Sequence, residues 1–315
     1  MRHLLKLGDL SADELHEILK SAIAIKANPG EYRWKADAKG LLMLFEKTST
    51  RTALSFQSAI AQLGGYAVVL DWKDSNFSLS PIGHETQYAS RNSDLIVARL
   101  KHHKDLIELA ANSEVPVING CDDVQHPTQA LADFMTILEL AGELKGVRLA
   151  YVGVHNNVAN SLLEGCLMLG VHLTLVTPIV NEASIDEDLL SQAQSSGLVD
   201  WSDDISVINQ ADFVYTDTWI DMENFDDPSY REEKGRRIEV MSPFQLNLDT
   251  VVSQHIHVMH DMPIHPGFEI TDDLVADSRS VIYQQAENRM HVEKALILHL
   301  LSEKSSIASS DGGHR

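Results

Sequence analysis

The sequence predicts an α/β protein of two domains, each with a parallel sheet flanked by helices, joined by interdomain helices. Three observations carry this. Short continuous apolar runs alternate with amphipathic helical segments in both halves, the pattern of buried parallel strands connected by helices. The alternation breaks at Ala-Gly-Glu-Leu-Lys-Gly, residues 141–146. A chain of 315 residues, 44% of them hydrophobic, is too long for one small domain and has enough apolar content for a large core.

In the first half, Ser11 followed by Glu14 is a capping-box pattern. Leu15, Ile18, Leu19, Ala22 and Ile25 then recur at helical spacing. Gly40–Phe45 reads as a buried strand. Leu54, Ile60 and Leu63 mark a helix that Gly64-Gly65 stops. Tyr66–Leu70, Leu95–Ala98 and Val115–Ile118 read as further strands, and Thr128–Leu140 as a long helix.

In the second half, strands are expected at Val147–Val152, Val171–Val176, Phe213–Thr216 and His255–Met259. Helices are expected at Val158–Leu169 and Ile185–Ala193. A last helix, Gln285–Leu301, is placed to cross back to the first domain. The Ser/Gly-rich tail from Ser305 is expected to be disordered.

Composition excludes several function classes. Twenty-five basic against 46 acidic residues give a formal charge of −21. That argues against nucleic acid and anionic membrane as partners, because phosphate contacts need a basic patch. A small anionic substrate needs only a few local cations. The two cysteines make no disulfide framework. No apolar run reaches membrane-spanning length, the N-terminus has no signal-like apolar core, and the expected location is the cytoplasm. The 15 histidines contain no pair at zinc-ligand spacing with a supporting third ligand, so no metal site is expected. The His102-His103 pair and His255/His257 read as surface or strand residues.

The chemistry concentrates in a few motifs. Phe45-Glu-Lys-Thr-Ser-Thr-Arg-Thr52 joins a strand to a helix. Such a turn presents free N–H groups and the positive end of the helix dipole. Ser49, Thr50 and Thr52 add hydroxyls and Arg51 a guanidinium fork, so the turn is a phosphate cradle without a glycine-rich loop. The plainer reading is that Ser49 and Thr50 only cap the helix. His126-Pro-Thr-Gln129 precedes the long helix of the first half. Tyr151–Ser161 follows a strand but lacks G-x-G-x-x-G, so a dinucleotide site is unsupported.

Ser-Thr-Arg-Thr at 49–52 with His-Pro-Thr-Gln at 126–129 is the paired signature of the carbamoyltransferases. The chain resembles the aspartate/ornithine carbamoyltransferase family, in its ornithine branch, from about residue 5 to residue 303. The resemblance implies a carbamoyl phosphate-binding domain over residues 1–142, completed by the helix 285–303. It implies an amino-substrate domain over 143–284. It further implies carbamoyl transfer from carbamoyl phosphate to the side-chain amine of ornithine, a homotrimer with sites near subunit interfaces, and no cofactor.

Residue by residue, Ser49, Thr50, Arg51 and Thr52 match the phosphate motif. Arg99 matches the arginine on phosphate and carbonyl, and His126 the donor to the carbonyl oxygen. Gln129 and the main-chain carbonyl of Met262 match acceptors for the carbamoyl NH2. Arg289, in Glu287-Asn-Arg-Met-His291, matches the arginine from the returning helix. Carbamoyl transfer passes through a tetrahedral centre whose oxygen gains negative charge, and fixed donors aimed at that oxygen are the main lever. The implied catalytic set is Arg51, Arg99, His126, Gln129, Asp261 and Arg289.

On the amine side, Asn157 and Asp217 match the contacts to the amino acid, and Met222 lies in the same substrate segment. Asn156 is read as a helix cap. Several positions depart from the family pattern. Val154 and Ala53 replace an aspartate and an arginine. Asp221 and Glu223 replace a serine and a glycine, and Asp261 replaces a cysteine. A serine can donate to a carboxylate, whereas an ionised aspartate only accepts. Asp261 either holds an ammonium or accepts its proton, or turns away to bond backbone. These acids leave a different amine open, such as lysine, putrescine or an ornithine derivative, and a non-catalytic binding role is the third reading. The segment Ser80–Arg91 reads as a shortened version of the family's inter-subunit loop, with His84 as the residue that could reach a neighbour.

Overall fold

In the computed structural model, which describes residues 2–222 and 224–311, the chain divides into two units. Unit 1 takes the N-terminal part through Met135 and resumes at Asn288; unit 2 is Thr136–Glu287.

Unit 1 runs α1 (Ala12–Ala27), α2 (Pro29–Tyr32), β1 (Gly40–Phe45), α3 (Thr50–Gln62), β2 (Tyr66–Asp71), α4 (Ile82–Ser90), β3 (Leu95–Arg99), α5 (His103–Asn112) and β4 (Val117–Cys121), then enters α6 (Pro127–Ala141). Ser11 caps α1 with the reciprocal Glu14 bond that the sequence predicted. The four strands are parallel in the order β2-β1-β3-β4. β1 is buried along its whole length, which is why it reads as an unbroken apolar run rather than an alternation. Leu42, Leu44, Ile96, Ala98 and Val117 pack against Leu106 and Leu109 of α5. β2 is an edge strand with Tyr66, Val68 and Val69 exposed.

Unit 2 runs β5 (Arg148–His155), α7 (Asn157–Leu169), β6 (His172–Val180), α8 (Glu187–Ser196), β7 (Val199–Trp201), β8 (Phe213–Thr216), α9 (Arg231–Met241), β9 (His257–His260), α10 (Asp272–Val275) and the first turn of α11 (Ile282–Asp311). Its five strands are parallel in the order β7-β6-β5-β8-β9. Val152, Val176, Val214 and Val258 form the core with Ile256, Ile270 and Ile282.

Three expectations need adjustment. The division falls inside α6, at 135/136, rather than in the 141–146 break; α6 is one unbroken helix that contributes to both units. The segment Ser80–Arg91 is not a loop. It folds as α4, because no glycine or proline interrupts it after Gly83 and Thr86 and Ala89 are buried on one face. The last helix continues to Asp311, past the expected start of the irregular tail, since the first backbone breakers are Gly312-Gly313. Residues 312–315 lie outside the described residues.

Candidate active site

In unit 1 the chain leaves β1 for β2 on one side while β3 lies on the other, so β1 and β3 flank a switch point where ligands bind in open parallel sheets. Phe45 at the end of β1 is level with Arg99 at the end of β3. Three predicted groups therefore leave the same edge of the sheet: Ser49–Thr52 after β1, Arg99 on β3 and His126 after β4.

Ser49 is the N-cap of α3, and its hydroxyl accepts the Thr52 N–H at 3.1 Å. The capping reading applies to Ser49. Thr50 opens the first turn, exposed, and Arg51 follows half-buried. Thr52 is buried, and its hydroxyl accepts from Arg289 Nη2 at 3.1 Å. Arg289 Nη1 donates to Gln129 Oε1. Gln129 in turn donates from Nε2 to Asp133 Oδ1 at 2.9 Å, which fixes its amide with the oxygen facing the arginine. That oxygen has a second lone pair to offer a substrate N–H.

His126 is buried at the start of α6. Burial first, then the charges of Arg289, Arg99 and Arg51, hold its imidazole well below the usual range. It is therefore neutral at pH 7, with one ring nitrogen able to donate and the other able to accept. Three guanidiniums act on one buried neutral histidine, so the arrangement is built for an anion. Arg99 Nε and Arg289 Nε are buried without hydrogen-bond partners among the described residues. Buried donors of this kind are costly unless a ligand accepts from them.

In unit 2 the switch point lies between β5 and β8. Asn156 leaves β5, Asp217 leaves β8 and Asp261 leaves β9, again from one edge. Asn156 is the N-cap of α7, as expected; its Oδ1 accepts from Val158 and Ala159 N–H at 3.0 and 3.1 Å. It does more than cap. Its Nδ2 donates to Asp217 Oδ2 at 2.6 Å, and Thr218 N–H donates to Asp217 Oδ1 at 2.6 Å. Asn157 is the first residue of α7, half-buried.

Tyr151, on β5, reports the electrostatics of this group. Its hydroxyl is fully buried and donates to the Val154 carbonyl at 2.9 Å. Burial, then Asp217, Asp261 and Asp221, push its phenol well above the usual range. Three carboxylates thus act on one spot. Asp221 and Met222 are exposed on a turn closed by Asn224 N–H to the Asp221 carbonyl at 2.9 Å. Glu223 lies outside the described residues.

Met262 sits at φ +63°, a region that a non-glycine residue occupies only where its surroundings hold it. Its N–H donates to His260 Nδ1 at 2.8 Å. His260 Nε2 donates to Glu269 Oε1 at 3.0 Å, with both side chains fully buried. Glu269 also accepts the His265 N–H at 2.6 Å. Asp217, His260 and Asp261 bring ligand-type atoms within 4.8 Å of one another. A cation there would need a lone pair from His260, and both of its ring nitrogens are already engaged.

The sequence reading missed Tyr151, His265, Glu269 and Glu293. Glu293 lies one turn beyond Arg289, fully buried, and accepts from Ser55 Oγ at 2.8 Å. Nothing in its local sequence signals this, since the partner is on α3.

Comparison with known proteins agrees with this geometry. The carbamoyl-P binding domain of aspartate/ornithine carbamoyltransferase matches residues 2–139, and the Asp/Orn binding domain matches 145–300. An ornithine carbamoyltransferase from Haloquadratum walsbyi is 37% identical over 304 residues, covering 96% of this chain and 98% of the relative. The solved ornithine carbamoyltransferase from Pyrococcus furiosus superposes with a TM-score of 0.86 at 38% identity, covering 96% of this chain and 97% of that one. The one from Thermus thermophilus gives 0.84 at 33% identity, covering 96% and 99%. Two matched domains spanning nearly the whole chain, with both motif edges built as described, place it in the aspartate/ornithine carbamoyltransferase family.

Proposed function

We propose that the chain transfers the carbamoyl group of carbamoyl phosphate to the side-chain amine of ornithine, giving citrulline and phosphate. The observation that carries this reading is the set of three guanidiniums acting on the buried, neutral His126. Carbamoyl phosphate is an anion whose carbonyl oxygen gains charge as the amine attacks. Arg51, Arg99, Arg289 and the start of α3 suit the phosphate, and a neutral His126 can donate to the carbonyl oxygen without a proton being lost. Ser49, Thr50 and Thr52 line the phosphate end, and Gln129 offers its oxygen to the carbamoyl NH2. On the amine side, Asp217 is fixed by two donors and suits the α-ammonium group, with Asp221 and Met222 nearby in the chain and Asn157 next to its donor Asn156.

The convergence of Asp217, Asp221 and Asp261 on Tyr151 favours a second reading, in which the acceptor is another amine with two cationic ends, such as lysine or putrescine. The two readings are separated by screening ornithine, lysine and putrescine with carbamoyl phosphate, following phosphate release and ureido product. In either case Arg51→Ala should abolish carbamoyl phosphate binding in calorimetry. Undiminished binding would remove Ser49–Thr52 from the site.

The reading includes a homotrimer. Its support is the exposed apolar edge of unit 1, where Tyr66, Val68 and Val69 of β2 are joined by Tyr88 of α4. Buried Cys166, a free thiol, suits a reducing compartment, the cytoplasm.

A further inference from the structure

We propose that Glu293 is a positioning residue for Arg289, and that its charge sets the affinity of unit 1 for carbamoyl phosphate. The inference rests on the reading that Arg289 binds that substrate.

The geometry is local to two helices. Arg289 and Glu293 are one turn apart on α11, with Nη2 3.6 Å from Glu293 Oε1. The same Nη2 donates to Thr52 of the phosphate motif, while Nη1 holds Gln129. Glu293 Oε1 accepts from Ser55 Oγ at 2.8 Å, and Ser55 lies one turn after the motif on α3. Glu293 Oε2 is buried with no hydrogen-bond partner among the described residues. The carboxyl therefore stands beside the guanidinium, near the same Nη2 that bonds the Thr52 hydroxyl.

Burial lifts the Glu293 carboxyl to about 8, against the opposing pull of Arg289 and the Ser55 hydroxyl. Lys294, next along α11, is directed at Gln62 instead. Near neutral pH Glu293 is thus an uncharged acid, and Arg289 keeps its full charge for an anion. As pH rises through about 8, Glu293 becomes a carboxylate beside the guanidinium. The new negative charge pulls Arg289 back along its own helix and lowers the net positive charge facing the phosphate.

The test is KM for carbamoyl phosphate at saturating amine from about pH 6.5 to 9.5, in wild type and Glu293→Gln. Comparing the two at each pH cancels titration of the substrates. The expected result is equal KM values at the acid end. At the alkaline end, wild type should have a KM roughly three- to tenfold higher than the variant. A ratio that stays flat across the range overturns the proposal, because a purely structural Glu293 would shift KM equally at every pH. Ser55→Ala gives an independent arm should the first variant fold poorly. It removes a donor that favours the anion, so the alkaline rise in KM should move to higher pH; an unmoved profile overturns the proposal equally. Absence of carbamoyl phosphate-dependent turnover with every amine would overturn the functional reading itself, which is a different outcome from a measurable but flat ratio.

Discussion

Replacing Asn156 by alanine removes four hydrogen bonds at once, the weakest from the Tyr151 hydroxyl at 3.3 Å, and the structure allows the loss of the other three to be worked out. The cap on α7 is gone, because Val158 and Ala159 N–H lose their acceptor. A lost N-cap of this kind costs about 1 kcal/mol. The 2.6 Å bond to Asp217 is also lost, leaving a buried carboxylate with one donor fewer. Losing a hydrogen bond to a charged group costs roughly 1.5–3 kcal/mol. The sum is about 3 kcal/mol, and for a unit of this size each kcal/mol lowers Tm by ~2–4 °C, so the expected drop in unit 2 is roughly 6–12 °C. Circular dichroism melts measure it. Asn156→Asp separates the contributions. It keeps the capping oxygen but sets a second carboxylate against Asp217, so its melt should recover partly as acid protonates one of the two. The KM for the amine should rise in both variants while the KM for carbamoyl phosphate holds. If Asn156→Ala loses only about 1 kcal/mol, the cost of the cap alone, and the amine KM is unchanged, Asn156 does not hold Asp217 for substrate.

Three further outcomes are expected. Asp261→Cys should raise kcat/KM for ornithine relative to lysine and putrescine; an equal change for all three would mean that Asp261 does not select the amine. His103 Nδ1 lies 2.6 Å from buried Asp122, and that hydrogen bond raises the imidazole above its ordinary value of 6.5. The stability it adds over His103→Gln should therefore be fully present below pH 6.5 and fade as pH climbs through the raised value, read by denaturant melts across pH. Light scattering at micromolar concentration should give about three chain masses, and a clean monomer would leave the exposed edge of β2 without its proposed partner.

Both sheets were legible because parallel strands buried on two faces are written as apolar runs. Gly40–Phe45 and Phe213–Thr216 have the bounds the sequence predicted. β7 escaped notice since it is three residues long with two of them exposed. α9, Arg231–Met241, is dominated by charged residues and shows almost no apolar face; its buried residues are Met241 and Arg237, which bonds the Trp219 carbonyl and Asn181. The phosphate motif and His126 were legible because they are contiguous and lie at strand-to-helix turns. The bonds from Ser55 to Glu293 and from Asn156 to Asp217 join positions far apart in sequence, and no local spacing encodes them. Asp217, Asp221 and Asp261 were legible as a group of acids on the amine side, but their common action on Tyr151 required the order β5-β8-β9.

The histidine that follows the β9 turn has a consequence for exchanging substrate preference between relatives. His265 stacks on Phe225 at 4.2 Å and 11°, bonds Thr218 Oγ1 at 3.0 Å, and is tethered through its N–H to Glu269. Lys234 covers Phe225 at 3.6 Å. Thr218 and Phe225 bracket the turn that carries Asp221 and Met222. That turn is therefore not a free-standing cassette. A graft of residues 217–225 alone would arrive without the ring that seats it, and the transplantable module is that turn together with His260–Glu269.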